Sequence, residues 1–209
     1  MSIIRRSTVV LVTALLAVGA VAGPALAKTD KQIAKAASIK LADLEGDWTA
    51  AKGDDDPSGL PECADIDAID KRSKKYEFQS PEFSTAESFL SNSVYVFPSV
   101  KQAKAYLAVF QDDSAGACLQ AGLEEAVADQ PGSVVDTGLL DVTGGPADDG
   151  VGYQVDVTSP DGEVLALQAV AFRVGRGVTG ITTLNLGASL PETADLAITS
   201  IERLRKGLK

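Results

Sequence analysis

The chain has 209 residues, 19 lysines and arginines against 29 aspartates and glutamates, a formal net charge of −10 and no histidine. Nucleic acid and anionic lipid are gripped by neutralising phosphate with Lys and Arg, so a chain this acidic is a poor match for either, and no nucleic-acid partner is expected. The missing imidazole removes Ser-His-Asp and Cys-His nucleophiles, histidine zinc sites and the usual neutral-pH proton shuttle together.

Residues 1–27 have the pattern of a secretory signal peptide. Arg5 and Arg6 form a charged start, Thr8 to Ala22 an apolar stretch, and Ala25-Leu26-Ala27 a small-x-small cleavage signature. Gly19 and Gly23-Pro24 break the apolar stretch short of the roughly 20 residues that span a bilayer. Pro24 stands where a lipid-anchored leader would need a cysteine. The expectation is a soluble, secreted chain starting near Lys28, without stable membrane insertion, in which residues 28–209 form a single exported domain. Cys63 and Cys118 are the two cysteines. In an oxidising compartment an isolated pair is most simply a disulfide, and no histidine is present to activate a free thiol.

Lys28 to Lys40 has helical apolar spacing at Ile33, Ala36, Ala37 and Leu41, and leads to the single tryptophan, Trp48. Lys52 to Pro61, with Asp54-Asp55-Asp56-Pro57, reads as an acidic loop; the alternating ligand pattern of a calcium site is missing, and neither metal nor cofactor is expected. The basic run Lys71-Arg72-Ser73-Lys74-Lys75 follows Asp65, Asp67 and Asp70 and reads as the solvated end of a helix rather than a docking patch. Tyr76 to Phe97 is rich in aromatic and β-branched residues and predicts two strands around breaks at Ser80-Pro81 and Ser91-Asn92.

Ser99-x-x-Gln102 predicts a capped helix with Val100, Ala103, Leu107 and Phe110 on one face, interrupted at Gly116. A second helical run then carries Cys118, Leu119, Leu123 and Val127. Ser133–Thr143, Val151–Thr158, Glu163–Val174 and Gly177–Leu186 read as four consecutive antiparallel strands joined by short turns. Ser189-Leu190-Pro191-Glu192 opens a terminal helix with Ala194, Ala197, Ile201, Leu204 and Leu208 on one face. The class is α+β: a mainly antiparallel sheet of about six strands with helices packed on one face.

Loop lengths set the register of the last hairpins. They place Tyr153, Val155 and Val157 on the face of Leu165, Leu167, Ala169, Ala171, Leu184 and Leu186, an apolar face expected under the helices. Val155, Leu167, Leu184, Val100, Leu107 and Ile201 are the candidate core. The opposite face carries Gln154, Asp156, Gln168, Thr183 and Asn185, grading into Val170, Phe172 and Ile181. That face is expected to be solvated surface or the floor of a cleft. As a cleft it would give hydrogen bonds for orientation and apolar area for affinity, with Tyr95 and Trp48 at its rim, suited to a small or envelope-derived ligand with a neutral or cationic head.

The order Trp48, Cys63, the block Phe89 to Phe110 with Phe-Leu-Ser-Asn-Ser-Val-Tyr-Val-Phe-Pro-Ser, Cys118, the strand Val170-Ala171-Phe172-Arg173-Val174 and an amphipathic terminal helix resembles the extracellular sensor domain of PknH-type bacterial Ser/Thr kinases and its stand-alone exported actinobacterial relatives. The resemblance runs from about Leu41 to Leu208. It implies a sheet packed with helices, and a cleft for an unidentified ligand at the cell envelope. This chain has one cysteine pair where the family domain has two disulfides. With no kinase domain or transmembrane helix in it, relay of a signal through a membrane is not implied.

The leading expectation is therefore a secreted, non-catalytic binding module of the cell envelope or extracellular space. The alternatives are a histidine-free hydrolase using paired carboxylates, and a structural or inhibitor protein acting through a surface patch. A pocket with converging polar groups favours the first, two close carboxylates in a cleft the second, and a flat exposed apolar patch the third.

Overall fold

The computed structural model describes residues 28–52, 63–142, 145–188, 190 and 192–209. The signal-peptide segment, the Asp54–Asp56 run, Ser189 and Pro191 lie outside the described residues.

The chain runs α1 (Asp30–Ala37), β1 (Thr49–Ala51), α2 (Ala64–Arg72), β2 (Tyr76–Gln79), β3 (Glu82–Ser84), β4 (Ser88–Val96), α3 (Val100–Phe110), α4 (Asp113–Ala126), β5 (Val134–Leu139), β6 (Asp149–Thr158), β7 (Val164–Val174), β8 (Gly177–Leu186) and α5 (Thr193–Leu208). Among the described residues there are eight strands in one antiparallel sheet, ordered β1-β3-β4-β8-β7-β6-β5. β2 and β3 share one edge of β4: β2 pairs with Ser93 to Val96, β3 with Phe89 and Leu90. The class is α+β, as the alternating text and tight turns require. The stretch Tyr76 to Phe97 makes three strands instead of two: the chain breaks at Ser80-Pro81 and again at residues 85–87, while Asn92, a turn residue by composition, sits in the middle of β4.

The hairpin register follows the loop lengths. Val155 pairs with Leu167 and Leu167 with Leu184, and the two-residue turn between Val174 and Gly177 is made by Gly175 at φ 55°. Cores lie on both sides of the sheet, which corrects the expectation that helices cover one face. Ile33, Ala34 and Ala37 of α1 and Leu196, Ala197, Ile201 and Leu204 of α5 pack on Val94, Val96, Val170, Phe172, Val174 and Ile181. Leu107, Ala115 and Leu119 of α3 and α4 pack on Val151 and Tyr153, with Ala171 beside them. Phe172 and Ala171 are neighbours in β7, and strand side chains alternate, so these two clusters occupy opposite faces.

The α1–α5 layer sits on a face punctuated by polar residues, a pattern that reads as solvent-facing in the sequence. Those residues pair inside the core. Thr179 and Ser200 hydroxyls lie 2.7 Å apart, and Asn92 joins Ile39 N, Thr179 Oγ1 and Gly180 O. At the margins, Arg176 makes a two-pronged pair with Asp30, and Arg203 does the same with Asp43 at 2.6 Å for each bond.

Of the candidate core, Val155, Leu167, Leu107 and Ile201 are buried and Leu184 is half-buried. Val100 is 44% exposed, because the first residue of α3 faces solvent. α4 also begins before Cys118: Asp112 caps it by accepting the Ser114 N–H, and Gly116 lies within the helix. A Cβ at Gly116 would stand 2.9 Å from Tyr153 Cε1, so glycine there permits a close approach of helix to sheet.

Candidate functional site

Three adjacent strands carry small side chains in register on the face beneath α2, α3 and α4. Ser91 pairs with Thr182 and Thr182 with Ala169; one row along, Ser93 pairs with Gly180 and Gly180 with Ala171. Six such residues cannot reach the helix layer, and the unfilled space is a cavity of about 480 Å³. Its sides are Gln79 and Glu77 of β2, Tyr95 and Val178 at one end of the sheet, Val151 and Tyr153 of β6, and Ile66, Asp67, Asp70, Lys71, Tyr106, Phe110 and Leu119 from the helices. Cys63 also borders it. The volume falls within the range of about 300–1,000 Å³ usual for small-molecule sites.

The helical roof is tied down at three points. The Cys63–Cys118 disulfide, with Cα atoms 5.9 Å apart, joins the start of α2 to α4. Tyr153 Oη donates to the Phe110 carbonyl at 2.6 Å. Tyr106 Oη donates to Asp70 Oδ1 at 3.2 Å, joining α3 to α2.

One end of the cavity is an aromatic and charged cluster. The Lys75 ammonium lies 5.3 Å from the Tyr95 ring centroid and 5.6 Å from that of Tyr106, donates to Asp70 at 2.6 Å, and stands 3.7 Å from Glu77. Its side chain is only 6% exposed. The expected solvated basic run thus sends its last member inward, where carboxylates and ring faces replace its water. Burial raises the Glu77 carboxyl above its ordinary range, opposed by Lys75. Burial also pushes the Tyr95 and Tyr106 phenols well up, reinforced by Glu77 at Tyr95 and by Tyr95 and Asp70 at Tyr106, so both act as neutral hydroxyls.

The eight residues expected to form a site are divided by the fold. Phe172, Val170 and Ile181 belong to the core beneath α5 and α1, with Ile181 1% exposed. Val170 and Ile181 border the cavity only as the strand neighbours of its floor. Thr183 is buried, its hydroxyl 3.5 Å from that of Thr193. Gln154, Asp156 and Gln168 form a half-buried ladder in which Gln168 donates to Gln154 at 3.3 Å and Gln154 donates to Asp156 at 3.0 Å. Asn185 accepts from the Ser88 hydroxyl.

α1 and α5 cover the part of this face that carries Val170, Phe172, Ile181 and Thr183, while Gln154, Asp156, Gln168 and Asn185 stay half-buried beyond that core. Tyr95 does border the cavity, whereas Trp48 lines a separate depression with Asp43, Glu45, Asp47 and Leu196. The cavity's signal in the sequence is small size, not polarity: Ser91-x-Ser93, Ala169-x-Ala171 and Gly180-x-Thr182 on one register-matched face. Among the described residues no group of three or more His, Cys, Asp or Glu could hold a metal ion, and no helix is long and apolar enough to cross a membrane.

No family model matches the chain, and no curated protein matches it. Among solved structures it is similar to the extracellular domain of PknH from Mycobacterium tuberculosis, with TM-score 0.53 and 12% identity over 84% of this chain and 96% of that one. A protein of unknown function from Pseudomonas aeruginosa, PA94, a putative regulator, matches over 62% of this chain and 81% of its own at 17% identity, with TM-score 0.25. The likeness to the PknH extracellular domain is one of fold.

Proposed function

We propose that the protein is a secreted, non-catalytic binding module of the cell envelope or extracellular space, and that its ligand occupies the cavity between the sheet and α2–α4. The observation that carries this reading is the floor of six small side chains, which leaves about 480 Å³ unfilled beneath a roof held by a disulfide and two tyrosine hydrogen bonds. Protein interiors otherwise close-pack, and an unfilled space bordered by both polar and apolar groups is a binding feature. Export rests on residues 1–27 and on the cysteine pair.

The paired-carboxylate hydrolase has one observation in its favour: Asp70 and Glu77 both border the cavity. Both flank the same buried ammonium, however, at 2.6 and 3.7 Å, so Lys75 takes the place of a substrate between them. The test combines two measurements on protein from culture supernatant. Intact mass should give a chain starting at Lys28 without a lipid adduct. A thermal-shift screen of small amphiphiles should yield stabilisers whose effect is lost in Gly180→Leu, which fills the cavity; a leader retained on the chain, or stabilisers indifferent to Gly180→Leu, would refute the reading.

A further inference from the structure

Polar and apolar groups are segregated across the cavity floor. On the β2–β4–β8 side stand the Gln79 carboxamide and the Ser91 and Thr182 hydroxyls. Among the described residues none of these three side chains has a hydrogen-bond partner in the protein. Ser91 is only 6% exposed, yet its hydroxyl opens to the cavity. Facing an open cavity with no partner in the protein, these groups are available to hydrogen-bond what occupies it. On the β7–β6 side stand Ala169, Ala171 and Val151, with Leu119 above.

Three carboxylates, Asp67, Asp70 and Glu77, and one lysine, Lys71, border the cavity. Asp70 and Glu77 flank Lys75, while Asp67 and Lys71 are four residues apart on α2, within reach of one another on one helix face. An anionic head would meet these three carboxylates with only Lys71 to oppose them. A cationic head would compete with Lys75 for Asp70 and Glu77 and with Lys71, one helical turn along, for Asp67. Neither obstacle faces an uncharged head.

Resting on the reading of the cavity as a binding site, we propose that its ligand is an uncharged amphiphile. A hydroxyl-bearing head lies over Gln79, Ser91 and Thr182, and an aliphatic body lies over Ala169, Ala171 and Val151 under Leu119.

Three probes of equal chain length test this by calorimetric titration: octyl glucoside, octanoate and octyltrimethylammonium. Octyl glucoside should bind at least about tenfold more tightly than either charged homologue. Ser91→Ala and Thr182→Val should each weaken it by about fivefold, the ratio expected for one neutral hydrogen bond, while leaving the charged probes unchanged. Equal or tighter binding of octanoate or the ammonium, or glucoside affinity indifferent to both substitutions, would overturn the proposal while the cavity reading stands.

Gly180→Leu separates the two failures, with Ala169→Leu as a second filling variant. A Cβ at Gly180 would meet only the Val170 carbonyl oxygen at 3.8 Å, so the larger side chain grows into the cavity. Binding of the probes that survives both filling variants, or no binding of any probe to the unaltered protein, would sink the cavity reading and the proposal with it.

Discussion

Tyr153 of β6 donates its hydroxyl to the carbonyl of Phe110, the last residue of α3, at 2.6 Å, while its ring lies against Gly116 of α4. One sheet residue thus sets the height of two helices above the cavity. In an ordinary helix Gly→Ala stabilises by about 1 kcal/mol, but here the new Cβ would stand 2.9 Å from a ring that its hydroxyl holds in place. Gly116→Ala should therefore destabilise by about 1–3 kcal/mol in urea unfolding, and Tyr153→Phe by about 1 kcal/mol. A more stable Gly116→Ala protein would show that Tyr153 is free to move.

The disulfide joins positions 55 apart and fastens α2, whose main helix neighbour is α3, to α4. Constraint of a loop this long corresponds to roughly 4 kcal/mol in the chain-entropy account. Cys118→Ser should lower stability by a few kcal/mol, and alkylation of the denatured, non-reduced protein should find no free thiol. Two modified cysteines in that experiment would contradict the bridge.

Asn92 is fully buried, and its side chain serves Ile39 N–H, Thr179 Oγ1 and the Gly180 carbonyl. Asn92→Ala strands the Ile39 amide and leaves a void between α1, β4 and β8. The expected loss is about 2–4 kcal/mol, more than for a neutral hydrogen bond alone. A loss below about 1 kcal/mol would mean that water or a neighbour takes over these bonds.

Acid should unfold the protein partly through Asp43. The hydrogen bonds from Arg203 hold its carboxyl below the usual range, against the opposing effect of burial. The unfolded chain therefore takes up this proton at higher pH than the folded chain does. The contribution is fully present above about pH 4, the ordinary carboxylate value, and is lost as pH falls through the lowered folded value. Asp43→Asn should flatten that limb of a urea-midpoint profile between pH 3 and 7.

Glu77 has the opposite sign. Burial raises its folded value, so keeping it ionised costs stability as pH rises through that value, and Glu77→Gln should remove the cost. An Asp43→Asn profile parallel to that of the unaltered protein would exclude the Arg203 linkage as a source of acid sensitivity.

The hairpins of the second half were legible because loop length sets parity. Val155, Leu167 and Leu184 had to share a face once the turns at 160–162 and 175–176 were counted. Asn92 and Gly116 misled for one reason: both are breakers by local preference, and both are kept by tertiary contacts that local text does not show, the Ile39 amide and the Tyr153 ring. α1 buries only Ile33, Ala34 and Ala37, too thin an apolar stripe to announce that it covers a sheet.

The expected site combined Gln154, Thr183 and Phe172 as if polarity marked access. In the fold, Thr183 is satisfied under α5 and Gln154 by Asp156 and Gln168. Ser91 and Thr182, on the face expected to be filled, are the groups left open.

The floor also has an evolutionary consequence. Ala169, Ala171 and Gly180 lie in the middle of the sheet with neighbours on both sides, so the strands carrying them are positioned by backbone ladders that do not depend on what those side chains are. Enlarging any one of them shortens the cavity without displacing the α1–α5 layer on the far face. On the proposed reading of the cavity as a binding site, ligand size is separable from stability in this scaffold, and single substitutions at these three positions change what it accepts.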